Sequence, residues 1–93
     1  VNLRDVIFTD GIIVSYKYTV DQLSLNFLDY TGDRIEIFFK GNVRFEDNDG
    51  KGFSLSDSRL TKRDHRYELQ LFDDDVACVF RIEFDQADYR LTE

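Results

Sequence analysis

Leu23-Ser24-Leu25-Asn26-Phe27, then the turn residues Tyr30-Thr31-Gly32-Asp33, then Ile35-Glu36-Ile37-Phe38-Phe39, is the stretch that decides the fold class. Apolar and polar residues alternate on both sides of a turn whose Gly can take positive φ. That is the pattern of two half-buried β-strands joined as a hairpin. Leu23, Leu25 and Phe27 define one inner face, and Ile35, Ile37 and Phe39 the next.

Working outward, the same period recurs almost everywhere. Ile12, Val14, Tyr16 and Tyr18 share a face of a first strand, joined to the second by a short turn at 20–22. Downstream, Gly41-Asn42 has the form of a two-residue hairpin turn, but that pairing sets Phe39 against Arg44 on one face. A strand that runs on keeps Phe39, Gly41, Val43 and Phe45 together, so one long strand over 34–46 is expected, sharply bent or bulged at Gly41. Residues 47–52 form a loop, Phe53 and Leu55 a short strand, and 56–65 an irregular polar segment. Tyr67, Leu69 and Leu71 mark the next strand. Asp73-Asp74-Asp75 turns the chain into a last one carrying Val76, Cys78, Phe80, Ile82 and Phe84. Short connections place sequence neighbours side by side. The expected fold is all-β: an antiparallel meander curled into an open barrel or small sandwich, one domain over residues 1–93. Leu3, Val6 and Ile7 have helix-like spacing, so the N-terminal segment is read as a short helix or an edge strand.

Composition bounds the function. With 42% hydrophobic and 15% aromatic residues, the chain has ample material for a core despite a net charge of −7. Arg59, Lys62, Arg63 and Arg66 against Asp64 give residues 59–66 a net +3, leaving −10 on the rest of a chain whose total is −7. This acidic balance argues against nucleic acid, whose phosphates call for a clustered basic face. No apolar run approaches the roughly 18–20 residues that cross a bilayer, so no membrane partner is expected. A single Cys cannot close an intrachain disulfide, and no signal peptide is visible; both point to the cytoplasm.

Catalysis needs several matched groups close together. One Cys and one His do not supply them: Cys78 has the parity of the buried strand face, and His65 lies in a polar segment. Carboxylate pairs abound among 19 acidic residues and carry no information at that density. Asp47, Asp49 and Gly50 echo the middle of a calcium loop, but Phe45 stands where its first carboxylate belongs and Ser56 where its bidentate Glu does. Asp47-Asn48-Asp49-Gly50 and Asp73-Asp74-Asp75 are read as acidic turns that could meet in space. No catalytic residue, metal ligand or cofactor is assigned.

Binding is the stronger expectation. Leu28, Tyr30, Phe38, Phe72 and Val79 are apolar at outward strand positions, and apolar area on an outer face marks an interface. They are the expected partner-binding residues. Three covers are open: the N-terminal segment, a second copy forming a homodimer, or another protein. A small-ligand-binding β-barrel is the alternative, with a cavity among Tyr16, Tyr18, Phe27, Phe39, Phe45, Tyr67 and Phe80.

Phe8-Thr9-Asp10 leading into Ile12-Ile13-Val14, the two alternating strands above, and the ending Phe80-Arg81-Ile82-Glu83-Phe84-Asp85 with Tyr89 resemble small bacterial immunity-like all-β families of polymorphic toxin systems. Thr9 departs from the His common at that position. The resemblance implies a non-enzymatic protein that binds and neutralises a toxin, and the acidity would suit a basic partner.

Overall fold

The computed structural model describes Leu3, residues 6–48 and residues 52–92. Eight strands follow in chain order: β1 (Ile12–Tyr18), β2 (Gln22–Leu28), β3 (Arg34–Lys40), β4 (Arg44–Asp47), β5 (Asp57–Arg63), β6 (Arg66–Phe72), β7 (Cys78–Phe84) and β8 (Gln86–Thr92). They form two four-stranded antiparallel sheets with orders β1-β2-β3-β8 and β4-β7-β6-β5. The all-β antiparallel expectation holds, in the form of a small sandwich. No helix is present among the described residues, and none is long and apolar enough to cross a membrane.

The connections depart from a simple meander. Chain neighbours pair within β1-β2-β3 and β5-β6-β7, but β3 also pairs with β8, and β4 with β7. These long-range pairs share one bent ribbon. β3 leaves the first sheet at Lys40 and resumes as β4 in the second at Arg44, while β7 leaves the second at Phe84 and resumes as β8 in the first at Gln86. Lys40 faces Gln86 and Arg44 faces Glu83, so three residues (41–43) stand against two (84–85). One extra residue at a corner is what a β-bulge supplies, and strands that switch sheets turn there. The expected single strand over 34–46 is therefore two strands. Its inner-face set survives: Phe39 and Val43 are buried, and Phe45 packs against the core.

Backbone conformation explains the corner. Gly41 and Asn42 both have positive φ, at 89° and 49°. A Cβ on Gly41 would lie 2.6 Å from the Asp85 Cβ, so only Gly lets the two crossings approach. The Asp85 N–H donates to the Lys40 carbonyl at 3.1 Å. Arg66, first residue of β6, spans both crossings. Its guanidinium donates to the Asp85 carboxylate (2.8 Å), the Asn42 carbonyl (2.7 Å) and, at greater length, the Gly41 carbonyl (3.4 Å).

Two further bulges move residues off their expected faces. In β1 the register slips between Ile13 and Ser15, leaving Val14 unmatched and exposed. Ile13, not Ile12, is therefore buried against Phe27, and Tyr16 and Tyr18 return to the inner side opposite Leu25 and Leu23. The slip between Leu71 and Phe72 acts likewise on β7: Leu71 faces Phe80 and Phe72 faces Cys78, so Val79 is the unmatched residue. Cys78, expected buried, is half-buried, with its thiol on the Phe80 carbonyl.

The expected irregular segment 56–65 contains β5, an edge strand closed onto β6 by a two-residue turn at Asp64-His65. Its alternation is hard to read because the inner side is Ser58, Leu60 and Lys62, and at an edge the core needs only Leu60. Lys62 lays its stem inward, its ammonium 5.6 Å from the Tyr67 ring centroid. The described residues of the N-terminal segment, Leu3 and 6–10, lie in neither helix nor strand. Leu3, Val6 and Phe8 are buried, with Phe8 against Phe27 at 5.3 Å between centroids, while Ile7 is exposed. Leu3, Val6 and Phe8 thus belong to the core and do not cover an outer face. Gly11 makes room: a Cβ there would sit 2.1 Å from the Phe27 ring. Backbone bonds between 10–13 and 52–55 then cover the start of β1.

Two measurements test this account. Arg66→Ala removes charge-assisted bonds from both crossings and is expected to lower urea-unfolding stability by about 1–3 kcal/mol. Gly41→Ala, meeting both a left-handed backbone and the Asp85 Cβ, is expected to cost about 2 kcal/mol or more. In the β2–β3 turn, the Thr31 hydroxyl (2.6 Å) and the Thr31 and Asp33 amides (2.9 and 3.0 Å) converge on one Asp29 oxygen. The Thr31 hydroxyl foremost holds the Asp29 pKa below its ordinary 3.8. A lowered carboxylate pKa stabilises the fold above the unfolded value, and that stability is lost as pH falls through the folded one. NMR titration of Thr31→Val is expected to show the Asp29 pKa moving up.

Candidate functional site

The five residues expected at a partner surface do not share one. Leu28 and Phe38 point outward from the first sheet, Phe72 from the second, and Tyr30 sits exposed in the β2–β3 turn. Val79 is 7% exposed because the bulge turns it away from the outer face. The two outward Phe rings are covered by the chain's own cations. Arg90 lies 5.3 Å from the Phe38 centroid and is fixed by Glu36 at 2.6 Å, which in turn accepts from the Ser24 hydroxyl. Arg59 lies 5.9 Å from the Phe72 centroid. A guanidinium over a ring shields its face from water and gains from the ring's quadrupole. Nothing in the local sequence pairs Arg90 with Phe38, since they meet only through the long-range β3–β8 ladder.

The rings considered for a ligand cavity pack on one another. Phe27, Phe39 and Phe80 are fully buried. Phe45 meets Tyr16 at 4.7 Å, Tyr18 at 5.7 Å and Phe80 at 6.0 Å, while Phe84 meets Phe39 at 4.8 Å and Tyr67 at 5.7 Å. Tyr16 and Tyr18 direct their hydroxyls outward to the Asp47 carboxylate (2.6 Å) and the Val43 carbonyl (2.8 Å). The interior is committed to packing.

A concave surface of about 350 Å³ lies at the loop end, lined by Asn48, Phe53, Ser54, Asp73, Asp74, Asp75 and Val79. Asn48 of the first acidic turn lines it together with Asp73, Asp74 and Asp75 of the second. Asn48 donates through its backbone to the Val79 carbonyl (2.8 Å) and through its side chain to the Cys78 carbonyl (3.1 Å), tying the loop after β4 to the start of β7. Asp49 and Gly50, part of the calcium-loop reading, lie outside the described residues. Among the described residues no group of three His, Cys, Asp or Glu is placed to hold a metal ion.

Within this groove the carboxylates divide their work. Asp73 holds the β6–β7 turn, its Oδ1 accepting from the Asp75 and Ala77 amides at 2.9 and 3.0 Å. The Ser56 hydroxyl closes on the Asp73 carbonyl. Asp74 and Asp75 are exposed on the turn. Near them stand two exposed apolar residues, Phe53 of the expected short strand and Val76 of the expected inward strand face. Phe53 is 65% exposed, whereas Leu55 two positions on is buried. Val76 is 78% exposed and has a φ of 61°. A β-branched residue in left-handed backbone is strained by about 1–3 kcal/mol. The legible signal for both was their adjacency to Gly52 and to Asp75, turn residues that end a strand's parity. Comparison with family models, with curated proteins and with solved structures finds no match to this chain.

Proposed function

We propose that this chain is a non-enzymatic protein-binding module whose loop-end groove docks a basic protein. The observation that carries the reading is the pairing of exposed Phe53 with the carboxylates of Asp74 and Asp75 around one concavity. An apolar anchor ringed by like charges suits a partner with a complementary pocket and basic rim. The anchor supplies affinity on desolvation, and the rim supplies orientation and encounter rate. Net charge of −7 acts in the same direction over longer range. A basic toxin, of the kind that immunity-like proteins neutralise, is the partner class that unites this groove with the resemblance in the sequence.

The test is recovery of the tagged chain from its host at low and moderate salt, beside variants in the groove. One stoichiometric basic partner is expected, weakened as salt rises because exposed charges are screened. Phe53→Ala is expected to weaken it by about 2 kcal/mol, measured by calorimetry on the purified pair. Asp74→Asn with Asp75→Asn should flatten the salt dependence. A partner held equally by all these variants would remove the groove from the interface. Val76→Gly beside the groove is a control for stability: relief of the left-handed strain is expected to raise unfolding stability by about 1 kcal/mol with affinity unchanged.

A further inference from the structure

β5 is an outer edge of the second sheet, paired with β6 on one side only. The Asp64-His65 turn closes on the pair Arg63 and Arg66. In a two-residue hairpin the closing pair exchanges backbone hydrogen bonds, and bonded pairs then alternate along the ladder. Arg63, Thr61, Arg59 and Asp57 therefore turn their backbone groups toward β6, and Ser58, Leu60 and Lys62 turn theirs outward. The Ser58 amide agrees with this, since the Asp57 carboxylate takes it at 2.7 Å. That carboxylate stands where an arriving strand would present a carbonyl.

We propose that two copies of the chain join antiparallel through β5, with Leu60 on the two-fold axis. In that register Leu60 faces Leu60, and Ser58 faces Lys62 of the second copy, so all three outward-turned residues acquire backbone partners once the Asp57 carboxylate yields the Ser58 amide to the Lys62 carbonyl of the second copy. On the outer face Asp57 lies opposite Arg63 of the second copy, and Arg63 opposite its Asp57. Neighbouring registers with the same backbone match are worse. Centring on Lys62 sets two ammonium groups together, and centring on Ser58 shortens the ladder. Opposite charges facing across strands stabilise a pair, and like charges oppose it. The strand's remaining cations are drawn aside, Arg59 over Phe72 and Lys62 over Tyr67. Leu60, 47% exposed where the core reaches the edge, gains cover from its counterpart. Lys62 is the usual device against indiscriminate edge pairing. Here it tolerates a strand that offers Ser58 in return. The result is an isologous dimer with one continuous eight-stranded sheet.

Sedimentation velocity over about 10 to 1,000 µM tests the proposal, because an edge-to-edge contact this short belongs to the weak interface class. The chain is expected to self-associate. Asp57→Arg alone and Arg63→Glu alone should each raise the dimer Kd by at least about tenfold, since each sets like charges together at both ends. The double variant Asp57→Arg with Arg63→Glu should restore association. So should mixing the Asp57→Arg chain with the Arg63→Glu chain, where opposite charges face at both ends; this recovery also shows that both chains are folded. A chain monomeric throughout, an association indifferent to the reversals, or a mixture that fails to recover would each overturn the proposal.

Discussion

Arg66 joins the Asp85 carboxylate to the carbonyls of Gly41 and Asn42, and in doing so holds together the two points at which the chain passes between sheets. The arrangement of both sheets follows from that corner. β3 and β8 belong to one sheet and β4 and β7 to the other, yet they form one ribbon whose register differs by a single residue across the bend. The three-against-two count needs left-handed backbone at Gly41 and Asn42, which turns peptide carbonyls outward. A guanidinium suits that place because its donors are spread in a fixed plane and can meet a carboxylate and carbonyls together. Beneath it, Phe39 and Phe84 stack edge to face at 4.8 Å, so the corner is polar outside and aromatic inside.

Much of this was legible from alternation. The inner faces of β2, β3 and β6 follow from it residue by residue, because a sheet with one buried face imposes a period of two on its sequence. Alternation fails where the chain gains a residue. Val14 and Val79 are both β-branched, suit a strand, and carry no local mark of a bulge; only the pairing partner reveals the slip. β5 was hidden for a different reason: an edge strand contributes one apolar side chain to the core, and Leu60 among Ser58 and Lys62 does not read as a pattern. The β3–β8 and β4–β7 pairs were out of reach because they join segments far apart in the sequence.

The outward apolar residues read as a partner surface are divided by the fold for a related reason. Outward Phe38 and Phe72 looked exposed because their covering cations, Arg90 and Arg59, come from other strands. Val76 shares the inward parity of Cys78 and Phe80 yet is exposed, because alternation does not extend into the turn before β7. Arg59 of the basic β5 segment reaches over Phe72, next to the Asp73-Asp74-Asp75 turn, so a basic and an acidic region adjoin at that end of the second sheet.

The crossed ribbon has a consequence for how the molecule assembles. The first sheet is not built from a continuous stretch of chain, since it needs its C-terminal strand β8, whereas the second is the unbroken run β4 to β7 inserted between β3 and β8. Splitting the chain in the loop after β4 would leave two fragments, each holding a strand that the other's sheet requires. The first layer therefore cannot complete its ladder until the whole second layer lies between its strands β3 and β8. Loop closure over such separations is entropically costly and comes before the contacts that reward it, which slows folding and gathers it into one cooperative event.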